Sequence, residues 1–540
     1  MGPRPPTDSS RRTLLCVPVT ATSPEAIVPE VRRALAAGAD LVELRLDYLE
    51  QQDTDLLVQA FADIMMDLLD VHAQLVVTCR AADEGGHWRG GMERMTLLRR
   101  ALEWPNGPGY VDVEYAHWAT LPEQESLGKI LPGSRSAALI LSRHDFEATP
   151  ADPARMLGEI AEAHPTAILK LACKANTIVD SVRMLEALRA WAQRRSTIAL
   201  TMGETGVVTR VLARKLGAFL TFASLEAGKE SAPGQISIEQ MKNLYRWDAI
   251  RPDTLVYGVV GCPVAHSMSP AIHNAAFDRT GWNGVYLPFR VEPEYADFKA
   301  FLDAFLQRPW LDLRGLSVTI PHKENLLQYV REHDGYIEPL AARIGVANTL
   351  VTGDAAAHAS LAAYNTDYRG ALDALCHGMG CEPRDLEDAR VTVLGAGGAA
   401  RAIVAGLRDC GCRVTIYNRT ARKARELAAD FGCIAIPWEE RHRIEADVVV
   451  NCTSIGMWPH VEQTPLPPDV IPRAVIFDTI YNPIETRLLR DARDNGRKTI
   501  DGVAMFVNQA AAQFRLWTGQ EPPVDLMREV VVARLQGDKH

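Results

Sequence analysis

Short apolar runs recur through the first half of the chain, at 14–20, 39–47, 75–80, 110–115, 137–146, 167–173, 197–203 and 219–224. Between them lie amphipathic stretches long enough for helices, among them 24–37, 93–103 and 177–195. Regular alternation of strand and helix predicts parallel strands joined by right-handed crossovers. Eight such units in roughly 230 residues make a (β/α)8 barrel. The polar residues of these runs gather toward their C-terminal halves: Glu43 and Arg45, Arg80, Asp112 and Glu114, His144, and Lys170. That end of a barrel carries its chemistry. Glu43 and Arg45, two positions apart on one strand, share its inward side. Lys170 is the sharpest of these signals, an amine within Ala167-Ile168-Leu169-Lys170-Leu171-Ala172. Desolvation lowers a lysine's pKa and makes it a nucleophile toward carbonyl carbon.

After residue 235 the pattern turns helical, reaches Arg251-Pro252-Asp253, and restarts as a strand at 255–260. A domain boundary is expected between 240 and 254. Further on, Val391-Thr392-Val393-Leu394 reads as a buried strand. It runs into Gly395-Ala396-Gly397-Gly398-Ala399-Ala400-Arg401. A strand turning through glycines into a helix presents backbone amides to a pyrophosphate. The next strand, 413–417, ends in Asn418-Arg419-Thr420-Ala421-Arg422-Lys423, with no acidic residue to take a ribose 2′-hydroxyl. Cations at that place suit a 2′-phosphate, which favours NADP(H) over NAD.

Composition narrows the remaining choices. At 540 residues the chain needs two or three cores. Its 47% apolar and 23% charged content is that of a globular protein. A net charge of −10 argues against nucleic acid or an anionic membrane as bulk partner. No apolar run approaches the length of a membrane span. The ten cysteines are scattered without ligand spacing, so neither disulfides nor a metal site is expected. The start, Met1-Gly2-Pro3-Arg4-Pro5-Pro6, lacks a secretory core, and a cytoplasmic location is expected.

Several segments of the first half carry a specific resemblance. They are Glu43-Leu44-Arg45-Leu46-Asp47, Thr78-Cys79-Arg80 with Glu84-Gly85-Gly86, Ser142-Arg143-His144-Asp145-Phe146, and Ser231-Ala232-Pro233-Gly234-Gln235-Ile236. Together they resemble type I 3-dehydroquinate dehydratase. The resemblance implies that Lys170 forms a Schiff base with the substrate ketone. It makes His144 the proton carrier, with Glu84 as its partner. It makes Arg210 the clamp on the substrate carboxylate. Glu43, Arg45, Arg80, Ser231 and Gln235 would bind the rest of the substrate. One departure is Val17-Pro18-Val19-Thr20, where some members end the first strand in serine.

The second half has its own set. It contains Gly261-Cys262-Pro263-Val264-Ala265-His266-Ser267-Met268-Ser269-Pro270, Ser317-Val318-Thr319-Ile320-Pro321-His322-Lys323, Val346-Ala347-Asn348-Thr349 and Asn365-Thr366-Asp367. After the glycine turn come Asn451-Cys452-Thr453-Ser454-Ile455-Gly456-Met457, Tyr481-Asn482-Pro483 and Gly502-Val503-Ala504-Met505-Phe506 with Gln509-Ala510. This half resembles shikimate dehydrogenase. The resemblance implies Lys323 and Asp367 as catalytic pair. Substrate would be held by Ser267, Ser269, Thr319, Asn348, Tyr481 and Gln509. The cofactor would be held by Gly395, Ala396, Gly397, Gly398 and Ala399, then by Asn418, Arg419, Thr420, Ala421, Arg422 and Lys423. Thr479, Gly502 and Met505 would line its nicotinamide end. Ser317 stands where many members have asparagine, and Phe506 where many have leucine.

The expected organisation is a dehydratase over 1–240, a substrate-binding domain over 255–370 completed by 502–540, and an NADP-binding Rossmann domain over 371–501. The substrates implied are 3-dehydroquinate, 3-dehydroshikimate and shikimate. The alternative is a catabolic pair oxidising quinate or shikimate with NAD, against which Arg419 speaks. A regulator built from decayed copies would be expected to lose Lys170, His144, Lys323 or Asp367. All four are present.

Overall fold

The computed structural model describes residues 12–51, 53–88, 93–104, 106–120, 137–354 and 358–537. Residues 1–6, on which the expectation about location rested, lie outside the described residues. The chain divides into two compact units after Thr254, except that Pro288–Val291 and Ala300–Trp310 group with the first.

The first unit holds eight strands: β1 (Leu14–Val19), β2 (Leu41–Arg45), β3 (Leu75–Thr78), β4 (Tyr110–Glu114), β5 (Ala138–Asp145), β6 (Ile168–Lys174), β7 (Thr197–Met202) and β8 (Leu220–Phe222). They form one sheet in the order β7-β6-β5-β4-β3-β2-β1-β8. Every pairing is parallel, and β1 bonds to β8. Among the described residues no pairing joins β7 to β8, so the expected barrel is nearly closed. Because both sheet faces are covered, β2, β3 and β7 are buried at every position. The barrel interior is filled by Cys16, Leu41, Val76, Ile140, Ile168, Ile198 and Leu220. Charged side chains begin where this apolar plug ends.

Two strands fall furthest short of their apolar runs. The run 39–47 yields only Leu41–Arg45, because the chain turns at Leu46–Tyr48 and buried Asp47 folds back onto Arg45. The run 219–224 yields Leu220–Phe222. Helix starts follow local chemistry: Thr177 and Asp180 form a capping box before Ile178–Ala192, and Asp152 caps Pro153–Ala163.

The second unit contains two sheets. The first comprises β9 (Leu255–Gly261), β10 (Gly284–Arg290), β11 (Leu313–Val318), β12 (Tyr336–Ile337), β13 (Thr349–Asp354) and β14 (Ala359–Tyr364). Its order is β10-β9-β11-β13-β14-β12, with β13 antiparallel to both neighbours. The second comprises β15 (Arg390–Leu394), β16 (Arg413–Asn418), β17 (Ile434–Pro437), β18 (Val448–Asn451), β19 (Val475–Asp478) and β20 (Thr499–Ile500). All its pairings are parallel, in the order β17-β16-β15-β18-β19-β20. This is the doubly wound dinucleotide-binding topology, whose strand order reverses beside β15. The glycine turn follows β15 directly. The helix Gly502–Thr518 then packs Val503, Val507, Ala510, Phe514 and Trp517 onto Tyr257, Ile272, Phe277 and Tyr286 of the first sheet's core. It crosses the helix Asp367–Met379 closely. A Cβ at Gly370 would stand 2.9 Å from both Gln509 N and Met505 O.

Candidate active sites

At the C-terminal end of the barrel a cavity opens to solvent. All nine residues to which the resemblance gives a role in this half line it: Glu43, Arg45, Arg80, Glu84, His144, Lys170, Arg210, Ser231 and Gln235. Its apolar wall is Phe146, Ala172, Leu200, Met202 and Phe222. Lys170 is 5% exposed. Its Nζ donates to Asp112 Oδ2 at 2.7 Å, lies 3.6 Å from Glu43 Oε1, and sits 4.7 Å above the Phe222 ring.

Asp112 is itself fixed from the other side. Arg80 Nη2 donates to its Oδ1 at 2.9 Å and Ser142 Oγ at 2.6 Å. Burial would raise this carboxyl, but Arg80 and Lys170 outweigh it and hold it well below the usual range. Asp112 therefore stays ionised and pins the amine.

His144 Nδ1 stands 2.9 Å from Glu84 Oε2, and its backbone N–H donates to the same oxygen at 3.2 Å. Burial, with Arg80 and Lys170 nearby, lowers the imidazole well below its ordinary value. Burial also raises Glu84 to about 7. Both changes disfavour an ion pair, so the imidazole rests neutral. With Nδ1 turned to Glu84, Nε2 is the ring nitrogen left to face the cavity's ligand.

The two remaining arginines differ. Arg45 spends its fork on Asp47, Nε at 2.9 Å and Nη2 at 2.7 Å. Arg210 is 1% exposed, yet among the described residues its Nε and Nη2 have no partner. Burial lowers it to about 10. Nε and Nη2 form the side-on fork that grips a carboxylate with two parallel bonds. A buried guanidinium with that fork open is costly by itself, and an anion entering the cavity relieves the cost. Ser231 and Gln235 are joined: Ser231 N donates to Gln235 Oε1 at 2.8 Å.

In the second unit Lys323 opens the helix Lys323–Glu332, and its Nζ donates to Asp367 Oδ2. Asp367 opens the helix Asp367–Met379, and its Oδ1 accepts from Asn348 Nδ2 at 2.8 Å. Asn365 Oδ1 accepts from Asp367 N at 3.0 Å. Tyr481 stacks on Phe506 with centroids 4.3 Å apart, and Gln509 Nε2 donates to Phe506 O. Ser269 N donates to Ser267 Oγ at 3.2 Å. Thr319 faces Gly261 through its methyl group. Among the described residues no hydrogen bond joins Ser267 or Thr319 to Lys323 or Asp367.

The glycine turn suits a dinucleotide. Gly395 has φ of +114°, and a Cβ there would meet Cys452 O at 2.9 Å. Around Gly397 a Cβ would meet nothing within 4 Å, so the space before the helix Gly398–Asp409 is open. Lys323 Cδ lies 4.0 Å from the Cβ position of Gly398, which brings the turn next to the lysine. Arg419 and Lys423 are exposed just past β16, and Arg422 pairs with Glu426 at 2.7 Å. Gly502 packs on Thr479 and Ile480, and Thr479 Oγ1 donates to Asn451 O at 2.9 Å.

Motif reading missed several residues that build these sites. Asp112 stood out only as a strand-end polar residue, without its bond to Lys170. The second site contains a buried polar chain. Tyr286 OH donates to Ser317 Oγ at 2.6 Å, and Ser317 Oγ to Gln513 Oε1 at 2.8 Å. Gln513 Nε2 donates to Thr349 Oγ1 at 3.0 Å, and Thr349 Oγ1 to Asn348 Oδ1 at 2.9 Å. The chain thus reaches the Asp367 partner Asn348. Gln513 follows Gln509 by one helical turn, a spacing that marks one helix face. Among the described residues no group of metal-ligating side chains could hold an ion.

Comparison with known proteins agrees over both halves. Residues 15–252 match the family described as type I 3-dehydroquinase. Residues 259–350 match the shikimate dehydrogenase substrate binding domain, and residues 381–462 match shikimate / quinate 5-dehydrogenase. Residues 502–532 match the shikimate 5′-dehydrogenase C-terminal domain. A chloroplastic bifunctional 3-dehydroquinate dehydratase/shikimate dehydrogenase of Arabidopsis thaliana is 36% identical over 96% of this chain and 84% of its own length. A shikimate dehydrogenase (NADP(+)) of Methanocella arvoryzae is 45% identical over 50% of this chain and 96% of its own. One from Moorella thermoacetica is 41% identical over 52% and 94%.

Proposed function

Because this chain belongs to the family of bifunctional 3-dehydroquinate dehydratase/shikimate dehydrogenases, we propose that its two catalytic centres are the Lys170 cavity and the Lys323–Asp367 pair. It catalyses two consecutive steps of the shikimate pathway: 3-dehydroquinate is dehydrated through a Schiff base to 3-dehydroshikimate, which is then reduced to shikimate with NADPH. The dehydratase occupies residues 1–240. The dehydrogenase takes its substrate-binding domain from 255–370 and 502–540, and its Rossmann domain from 371–501.

In the dehydratase, Arg210 grips the substrate carboxylate through Nε and Nη2. Glu43, Arg45, Arg80, Ser231 and Gln235 bind the remaining polar groups. Lys170 Nζ attacks the ketone carbon, and loss of water leaves an iminium that draws electrons from the adjacent C–H bond. His144 Nε2 removes that proton and returns it to the departing hydroxyl. Hydrolysis of the imine frees the enone and restores Lys170. The observation that carries this reading is the unpartnered Arg210 fork in the same cavity as a buried lysine.

In the dehydrogenase, the open turn Gly395-Ala396-Gly397-Gly398-Ala399 and the segment from Asn418 to Lys423 suit NADP(H), with Thr479, Gly502 and Met505 at its nicotinamide end. NADPH, when bound, supplies the hydride. Lys323 gives a proton to the carbonyl oxygen, and Asp367 orients Lys323. Asn348 fixes Asp367 in turn. Ser267, Ser269, Thr319, Tyr481 and Gln509 bind the polyhydroxy acid.

Among the described residues no helix is long and apolar enough to cross a membrane. Ten free cysteines support a reducing compartment such as the cytoplasm. The test of the first centre is borohydride trapping with 3-dehydroquinate. A reduced adduct on Lys170 is expected, and an adduct elsewhere or none would remove the assignment.

A further inference from the structure

Three cysteines that neither reaction uses come together at the far end of the Asp367 helix. The helix Asp367–Met379 ends in a Schellman turn at Gly380, whose φ is +72°. Gly380 N donates to His377 O at 3.2 Å, and Cys381 N donates to Cys376 O at 3.0 Å. This turn packs the side chain one turn inside the helix against the side chain just beyond it. Here both positions are cysteines. The backbone hydrogen bond from Cys381 N to Cys376 O holds the two residues side by side, as a disulfide requires of its partners. Both side chains pack in the same apolar cluster, with Cys410 beside them. Cys376 is 8% exposed in the Rossmann core, while Cys381 and Cys410 are half-buried against it.

We propose that Cys376 and Cys381 form a reversible dithiol–disulfide site that is oxidised by hydroperoxides. Exposure sets the order of events. Cys381 reaches solvent, whereas burial pushes the Cys376 thiol up to about 12 and keeps it protonated. The Cys381 thiolate attacks the terminal oxygen of the hydroperoxide and the O–O bond breaks. The alkoxide or hydroxide released takes up the proton that Cys381 lost. The resulting sulfenic acid is then attacked by Cys376 sulfur. The S–O bond breaks, and water leaves with the Cys376 proton. Two electrons pass from the sulfurs to the peroxide, and a reducing dithiol reverses the step by exchange.

Trypsin cuts after Arg369 and Arg384, so both cysteines fall in one peptide, 370–384. The full chain is treated with hydrogen peroxide, unfolded, alkylated with iodoacetamide and digested. That peptide should emerge lighter by two hydrogens and unalkylated. Dithiothreitol before alkylation should restore two alkyl groups. In Cys381→Ser, Cys376 should remain free and become alkylated after the same treatment. The proposal is overturned if both cysteines of the native chain are alkylated after peroxide. It is equally overturned if peptide 370–384 emerges linked to the peptide bearing Cys410, or if Cys376 is oxidised in Cys381→Ser.

Discussion

Lys170 and Lys323 each donate to an aspartate, and their surroundings divide the work between them. The Lys170 side chain is 6% exposed, and Asp112, Glu43 and the Phe222 ring surround its amine. The Lys323 side chain is 20% exposed at the start of a helix, with Asp367 as its ion-pair partner. A nucleophile that must form and later break a covalent bond is served by a dry wall and fixed charges. A proton donor must be refilled from water after each turnover, and partial exposure permits that. The carboxylates follow the same division. Asp112 is locked by Arg80 and Ser142, whereas the Asp367 carboxylate accepts, besides Lys323, from the Asn348 amide.

The largest expected effect is that of Lys170→Ala. Dehydration should fall by about 10⁴-fold or more, because no other group can form the iminium. The same protein supplied with 3-dehydroshikimate and NADPH should consume NADPH at the native rate. A residual dehydration rate within tenfold of native would erase the distinction between the two lysines.

Next comes Lys323→Ala. Loss of the proton donor should slow ketone reduction by about 10²–10⁴-fold. Supplied with 3-dehydroquinate and NADPH, this variant should accumulate the enone absorbance while NADPH persists. Its borohydride adduct on Lys170 should be undiminished. Loss of enone formation in this variant would show that the two centres do not divide the chemistry as drawn.

Arg210→Met separates binding from stability. Removing the fork should cost about 2–3 kcal/mol of transition-state binding, or roughly 10²-fold in kcat/KM. The unliganded barrel should become more stable, because a buried guanidinium without partners is gone. Melting should shift upward by about 2–4 °C for each kcal/mol relieved. A lower melting temperature would mean that the fork is paired within the protein.

The pH profile sharpens the same contrast. Burial lowers His144 well below its ordinary value near 6.5. Its neutral, basic form therefore survives below pH 6.5, and the acid limb of dehydratase kcat/KM should lie there. The sign for stability is the same: this histidine's contribution is full above pH 6.5 and is lost as pH falls through its lowered value. Assayed on 3-dehydroquinate alone, an acid limb at or above pH 6.5 would contradict the burial argument.

How much of this was legible in the chain depends on how local the cause is. The eight barrel strands were readable because apolar runs and turns are local, and all eight are present. Strand ends were less so, since 39–47 is cut short by the bond from Arg45 back to Asp47. Motifs picked out nine residues that line the barrel cavity. They missed the partner that fixes Lys170, because Asp112 reaches it only through register: Asp112 aligns with Ile140, and Ile140 with Ile168, two positions before the lysine. The chain from Tyr286 to Gln513 was invisible for a stronger reason. Ser317 and Gln513 are 196 positions apart, and only the return of the C-terminal helix joins them.

The smallest effect concerns the cofactor end, where the two units differ most in burial. Arg210 is buried at 1% exposure, whereas Arg419 stands exposed past β16. An exposed cation facing a phosphate is screened by solvent, so its contribution is modest. Arg419→Ser should reduce the preference for NADPH over NADH by about tenfold, equivalent to about 1.4 kcal/mol. The loss should fall on KM for NADPH, with kcat nearly unchanged, because the 2′-phosphate lies away from the reacting carbon. Raising the salt concentration should shrink the difference between native and variant. A change confined to kcat, or one insensitive to salt, would place Arg419 outside the phosphate site and leave Arg422 and Lys423 to fill it.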